Sequence, residues 1–114
     1  MSHWTRLQRR FATRFPELLE EVPYLLQSYL CALEREILWQ GHVYITSTYF
    51  CFYSQILAKK IRVIVPLRLL MCLEKGKKFV FPNSIRITTA DRQFTLTSFL
   101  KRDSCYLEMV RVWQ

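Results

Sequence analysis

The sequence predicts a mainly β domain: a partly open barrel of two antiparallel sheets, with a short N-terminal helix before it and a C-terminal α-helix closing one end. Three observations predict it. Between Gly41 and Pro66, three short runs rich in β-branched and aromatic residues follow one another with tight polar links. Val43 and Ile45 alternate with Tyr44 and Thr46, Phe50 and Phe52 with Tyr49, Cys51 and Tyr53, and Ile61, Val63 and Val65 with Arg62 and Ile64. Period two puts each set on one face of a pleated sheet, so this is a three-strand antiparallel meander. Ile85–Thr89 and Gln93–Thr97 repeat the alternation on either side of Ala90-Asp91-Arg92 and read as a hairpin. Finally, apolar residues return at helical spacing after Asp103.

In chain order, the first element runs from Trp4 to Leu19. Leu7, Phe11 and Phe15 are spaced by four, arginines occupy the other faces, and Pro16 interrupts. This spacing predicts a short amphipathic helix whose phenylalanines pack onto the domain, with lying on a membrane as the alternative. Leu18 to Leu33 is ambiguous. Leu18, Val22, Leu25, Leu26, Tyr29, Leu30 and Leu33 fit a helix, yet Pro23 breaks it and residues 27–33 alternate equally well as a strand. Glu34 to Trp39 connects into the meander, and Gly41 eases the entry. After Pro66, Leu69–Leu73 reads as a buried strand, Glu74–Lys78 as a basic turn and Pro82-Asn83-Ser84 as another turn. Asp103 and Ser104 read as caps of the last helix, with Tyr106, Leu107, Val110 and Trp113 as its apolar stripe and Leu107 and Val110 facing the core.

The totals narrow the function. One hundred and fourteen residues, 51% hydrophobic, form one domain with a real core. No run is apolar enough to span a bilayer, and no secretory signal is visible, which leaves an intracellular, soluble chain as the expectation. Cys31, Cys51, Cys72 and Cys105 are far apart without C-x-x-C spacing and read as reduced, buried thiols that bind no metal. The formal charge of +8 is unevenly spread. Residues 1–16 hold Arg6, Arg9, Arg10 and Arg14 and no acid; residues 17–36 are acidic; residues 59–92 hold nine basic residues against Glu74 and Asp91. Such a field attracts anionic partners. His3 and His42 have no evident catalytic partner, and no phosphate loop, metal motif or nucleophile turn appears, so no catalytic residue, no metal site and no cofactor are expected.

Seven strands, or six and an uncertain first, ending in one amphipathic helix are the pattern of the pleckstrin-homology superfold. Five ordered motifs add a resemblance. Cys31-Ala32-Leu33-Glu34-Arg35-Glu36-Ile37-Leu38-Trp39-Gln40-Gly41-His42-Val43-Tyr44-Ile45 resembles the start of a GRAM domain. So do Cys51-Phe52-Tyr53-Ser54, Lys59-x-Ile61-x-Val63-x-Val65-Pro66, Phe81-Pro82-Asn83 with Ile87-Thr88-Thr89, and Ser98-Phe99-Leu100-x-Arg102-Asp103-Ser104. The chain is most similar in these stretches to GRAM domains of the Aster-type membrane contact-site proteins, over residues 11–114, leaving residues 1–10 as a basic N-terminal segment. The resemblance implies a pleckstrin-homology-like fold and makes the ambiguous segment a strand.

It also implies a non-catalytic membrane-targeting module that binds anionic headgroups, phosphatidylserine or a phosphoinositide, at a cytosolic face. The implied location is peripheral, at the plasma membrane or an endoplasmic reticulum–plasma membrane contact. Family members usually carry a membrane anchor and often a sterol-transfer domain, which this sequence does not contain, and at Ala58 relatives usually have glycine. A protein-interaction adaptor or a self-associating module is the alternative, with Trp39, Tyr49 or Tyr53 as anchors; nucleic acid is disfavoured for want of a motif. The expected lipid site is the link Gln55–Lys60: Ile56 and Leu57 enter the headgroup boundary while Lys59 and Lys60 meet the anionic surface. Arg35 and Trp39 are its neighbours at the same end of the sheet.

Overall fold

The described residues form seven antiparallel strands with a helix at each end of the chain. A computed structural model of the chain describes residues 3–21, 25–77 and 80–114. Helix α1 (His3–Arg14) and a 3₁₀ turn (Pro16–Glu21) precede β1 (Leu25–Glu34), β2 (Leu38–Thr46), β3 (Tyr49–Ile56) and β4 (Lys59–Pro66). A short 3₁₀ turn (Leu67–Leu69) leads to β5 (Leu70–Lys77), β6 (Val80–Thr89) and β7 (Gln93–Thr97), and α2 (Arg102–Trp113) ends the chain. The ambiguous segment is therefore a strand. Val22, part of its helical spacing, and Pro23, which breaks that spacing, lie outside the described residues, as does Lys78.

All pairings are antiparallel, and the strands form a single open sheet in the order β4-β3-β2-β1-β7-β6-β5, not two separate ones. The two halves are joined through β1, whose end pairs with β7 at Ala32–Thr97 and Leu33–Leu96. The outer strands β4 and β5 do not pair; from the β6–β7 turn, Arg92 Nη2 donates to the Ile64 carbonyl at 3.2 Å and covers part of the β4 edge. The β2–β3 turn is tied by Thr46, whose Oγ1 accepts from the Tyr49 amide at 2.7 Å and the Thr48 amide at 3.2 Å.

Cross-strand register sorts the meander into two faces. Val43, Phe52 and Val63 lie side by side, as do Ile45, Phe50 and Val65, and these point into the main core with Leu73, Ile85, Ile87, Leu96, Cys105 and Met109. Tyr44, Cys51 and Tyr53 point the other way, where Leu7, Phe11, Phe15 and Leu18 cover them. The N-terminal helix thus packs on the domain as its phenylalanine spacing predicts, and both faces of β3 are dry, so Phe50 to Ser54 are consecutively buried.

Three local expectations need correction. Glu74 to Lys77 extend β5 instead of turning: Glu74 pairs with Arg86 and Lys75 with Ile85, and after an irregularity between Lys75 and Lys77 the ladder resumes at Lys77–Val80. Pro82-Asn83-Ser84 lies within β6; Asn83 takes a left-handed φ of 57° and its Nδ2 donates to the Phe99 carbonyl at 2.9 Å, so the turn chemistry anchors the β7–α2 link instead of reversing the chain. The last helix starts two residues earlier than a cap at Asp103 implies: Lys101 is at the N-cap without a side-chain cap, and Asp103 instead pairs with Arg102 at 3.1 Å and Lys75 at 3.7 Å.

The buried stripe of α2 is Cys105 and Met109, with Tyr106, Val110, Val112 and Trp113 half-buried around it. Leu107 does not face the core; it is 69% exposed. Leu107 is two residues before Met109, about 200° of rotation, so it points away from the sheet once Met109 is central, whereas Val110 stays at the margin of the buried stripe. Met109→Ala is therefore expected to cost about 2–5 kcal/mol, and Leu107→Ala under about 0.5 kcal/mol, in urea denaturation. Equal costs would contradict this orientation.

Candidate functional site

Consecutive antiparallel strands place alternate turns at the same end of a sheet. The β1–β2 turn (residues 35–37) and the β3–β4 turn (Leu57-Ala58) therefore share one edge, two strand spacings or about 10 Å apart. This edge gathers the residues singled out from the sequence. Ile56 pairs with Lys59 at the end of the hairpin, and both lie on the core side of the sheet, where Ile56 is half-buried and Lys59 exposed. Lys60 pairs with Gln55 on the opposite face. The two lysines thus straddle the sheet edge.

Leu57 is at the tip, with a left-handed φ of 55° and 92% of its surface exposed. A branched aliphatic residue in that conformation costs free energy relative to glycine, and exposing it costs more. Gln55 braces the tip: its Oε1 accepts from the Tyr53 hydroxyl at 3.1 Å and its Nε2 donates to the Leu57 carbonyl at 3.3 Å.

On the neighbouring turn, the Arg35 amide donates to the Ile37 carbonyl at 3.1 Å, and the Arg35 side chain is exposed. Trp39 is half-buried against the main core, two residues beyond the last β2–β3 pair, Gly41–Ser54, just as Ile56 is. It supports the edge more than it protrudes from it. Two residues absent from the sequence-derived set join the site: Ile37 and Leu38 are 55% and 51% exposed at the same turn. The signal was present as an apolar pair directly after the charged Glu34-Arg35-Glu36. The edge therefore combines Ile37, Leu38 and Leu57 with Arg35, Lys59 and Lys60, and with Glu34 and Glu36 on the β1 side.

The anchors considered for a protein partner are less available. Trp39 and Tyr49 are half-buried and Tyr53 is buried. The basic residues of β5 lie at the far edge of the sheet, and Lys75 is engaged with Asp103 and lies 5.2 Å from the Tyr106 ring.

The chemistry of the remaining groups is quiet. Cys31, Cys51 and Cys105 are buried, and burial pushes all three thiols up, Cys31 to about 12, which disfavours the nucleophilic thiolate. Among the described residues, no group of three His, Cys, Asp or Glu is placed to hold a metal ion, and no helix is long and apolar enough to cross a membrane.

His42, on the outer face, is half-buried. Burial first, then the charges of Arg14 and Arg10, hold its pKa below the usual 6.5. A histidine whose folded pKa is depressed takes up its proton more readily in the unfolded chain. Its contribution to stability is complete above 6.5 and is lost as the pH falls through the folded value. His42→Asn should accordingly show a smaller loss of stability than the parent between about pH 7.5 and about pH 5.5 in denaturant melts. Equal losses would mean that His42 does not titrate in this way.

The comparisons with known proteins agree with the architecture. The family model described as GRAM domain matches residues 9–114. Protein Aster-A of Mus musculus is 40% identical over 97 residues, which are 84% of this chain and 13% of that protein. Protein Aster-B of Homo sapiens is 36% identical over 104 residues, 88% of this chain and 14% of that protein. The chain thus spans about one seventh of the length of these relatives. A crystal structure of the C-terminal domain of an unknown protein from Leishmania infantum superposes with a TM-score of 0.81 at 29% identity, covering 94% of this chain and 97% of that one. The solution structure of the N-terminal PH domain of human ARAP2 superposes with a TM-score of 0.57 at 15% identity, covering 76% of this chain and 77% of that one, a likeness of fold alone. With nearly the whole chain matched by one family model and its strands in the pleckstrin-homology arrangement, the chain belongs to the GRAM domain family.

Proposed function

We propose that this chain is a non-catalytic membrane-targeting module that binds anionic lipid headgroups, phosphatidylserine or a phosphoinositide, through the edge formed by the β1–β2 and β3–β4 turns. The observation that carries the reading is Leu57, held fully out of the domain in a costly backbone conformation between half-buried Ile56 and the lysine pair Lys59-Lys60. Leu57, with Ile37 and Leu38, enters the headgroup boundary, and Lys59, Lys60 and Arg35 meet the anionic surface. Trp39 and Ile56 hold the turns from the core side. The Aster-type relatives support the same reading, which places the module on a cytosolic face, at the plasma membrane or a contact with the endoplasmic reticulum.

A lysine near an anionic surface contributes about 1 kcal/mol, so this edge alone gives weak and reversible attachment. Lasting residence requires a second signal or several copies acting together. The double variant Lys59→Glu, Lys60→Glu should bind vesicles containing phosphatidylserine or a phosphoinositide at least about 25-fold more weakly in co-sedimentation. Leu57→Gly separates stability from binding. Glycine accepts the left-handed φ, so the melt should hold or improve by about 0.5–1 kcal/mol while vesicle binding falls. Undiminished binding by both variants would remove this edge from the membrane site.

A further inference from the structure

The outer face of the meander carries a second set of cations that the edge site does not use. Arg14 leaves the last turn of α1 and lies over the Tyr53 ring at 4.4 Å, while its Nη1 donates to the Tyr44 hydroxyl at 2.5 Å. His42 is the cross-strand partner of Tyr53 and lies beside Tyr44, with ring centroids 6.4 Å apart. Arg10 is exposed one helical turn before Arg14, and its charge, with that of Arg14, acts on both His42 and Tyr44. Farther across the face, Arg62 pairs with Glu17, which occupies that carboxylate. Among the described residues, no carboxylate hydrogen-bonds or ion-pairs with Arg10, Arg14 or His42.

Stacking on Tyr53 explains Arg14 alone as a staple for the helix. It does not explain a second arginine and a half-buried imidazole gathered around it, an arrangement whose like charges oppose one another. A bound anion removes that opposition.

We propose that Arg10, Arg14 and His42 form a binding site for a phosphate monoester, separate from the hairpin edge. Guanidinium groups present forked N–H donors that match phosphate oxygens, and the imidazole adds one more donor. A monoester offers three terminal oxygens and a charge of about −1.5 to −2, whereas a diester offers less of both. His42 is faced by Arg10 and Arg14 from α1, Leu30 from β1 and Tyr53 from β3. Against a dianion its protonated form is favoured, so binding takes up a proton. The same chemistry is presented by a free sugar or inositol phosphate and by a lipid with a terminal phosphate.

The test follows the His42 ring resonances by NMR. The three probes are soluble inositol hexakisphosphate, vesicles containing phosphatidic acid, and vesicles containing phosphatidylserine as the diester control. The expected result is a shift of the His42 signals and a rise of its pKa with a monoester, with affinity weakened about tenfold or more in Arg10→Gln. Arg10 is exposed, so this variant keeps the fold. A response to the soluble ester alone identifies a free ligand, and one to phosphatidic acid vesicles alone a lipid; either supports the site. The Lys59→Glu, Lys60→Glu protein should bind the soluble ester as the parent does, which separates failure of this site from failure of the edge. No His42 response to either monoester, an equal response to phosphatidylserine, or an unchanged affinity in Arg10→Gln would overturn the proposal.

Discussion

Gly41→Ala is expected to cost about 3 kcal/mol or more, a large part of the total for a domain of this size. At Gly41 the β2 and β3 backbones approach too closely for any side chain. An added Cβ would fall inside contact distance of the Tyr53 carbonyl oxygen, 2.9 Å from its carbon and 3.0 Å from the Ser54 Cα. All three obstacles are main chain, so no rotamer change relieves them. The strands must part where Gly41 pairs with both Ser54 and Cys31, and where the Ser54 hydroxyl donates to the Gln40 carbonyl. The damage lies three residues from the candidate membrane edge, so vesicle binding should weaken as well. A denaturant midpoint within error of the parent would show that β2 and β3 do not approach in this way.

That position marks how far the sequence could be read. Gly41 is legible as a strand-entry glycine, but the contact that demands it comes from a strand twelve residues on. The meander itself is legible because alternation is a local property of each strand, but the link expected at Gln55–Lys60 is shorter than read, since Gln55 pairs with Lys60 and Ile56 with Lys59, and only Leu57-Ala58 turns. Leu25 to Leu33 is not, since its leucines satisfy a helical period as well as a pleat; only the resemblance made it a strand. The face of α2 was misread at Leu107 for a related reason. Spacing narrows a helix to a stripe, but which stripe meets the sheet depends on how Tyr29 and Tyr106 tie it down, through contacts to the Ser104 and Leu73 carbonyls.

The site divides in the same way. Ile56, Leu57, Lys59 and Lys60 are contiguous, so their common location needed no tertiary information. Ile37 and Leu38 were hidden by the charged triplet before them. The group formed by Arg10, Arg14 and His42 could not be read at all, because nearly thirty residues separate the helix from the strand. Only the packing of α1 on the outer face brings them together.

That packing rests on Phe15, and Phe15→Ala is expected to destabilise the domain by about 3–5 kcal/mol. The ring is fully buried, with Phe11 at 5.5 Å, Tyr44 at 6.0 Å and Tyr53 at 6.4 Å between centroids, and the Arg62 guanidinium lies over it at 5.0 Å. Removing it leaves a cavity between α1 and the meander, and it takes away the partner that holds Arg62 near Glu17. The main core on the other side of the sheet contains none of these groups. The variant should therefore lose protection unevenly in hydrogen exchange: amides of α1 open first, while those of β6 and β7 remain nearer to the global value. The cluster around His42 should loosen with the helix, so the His42 pKa should move back up toward 6.5 as burial and the charges of Arg14 and Arg10 are relieved. A loss under about 1 kcal/mol, or an unmoved His42 titration in the destabilised variant, would mean that α1 does not depend on Phe15 for its seat.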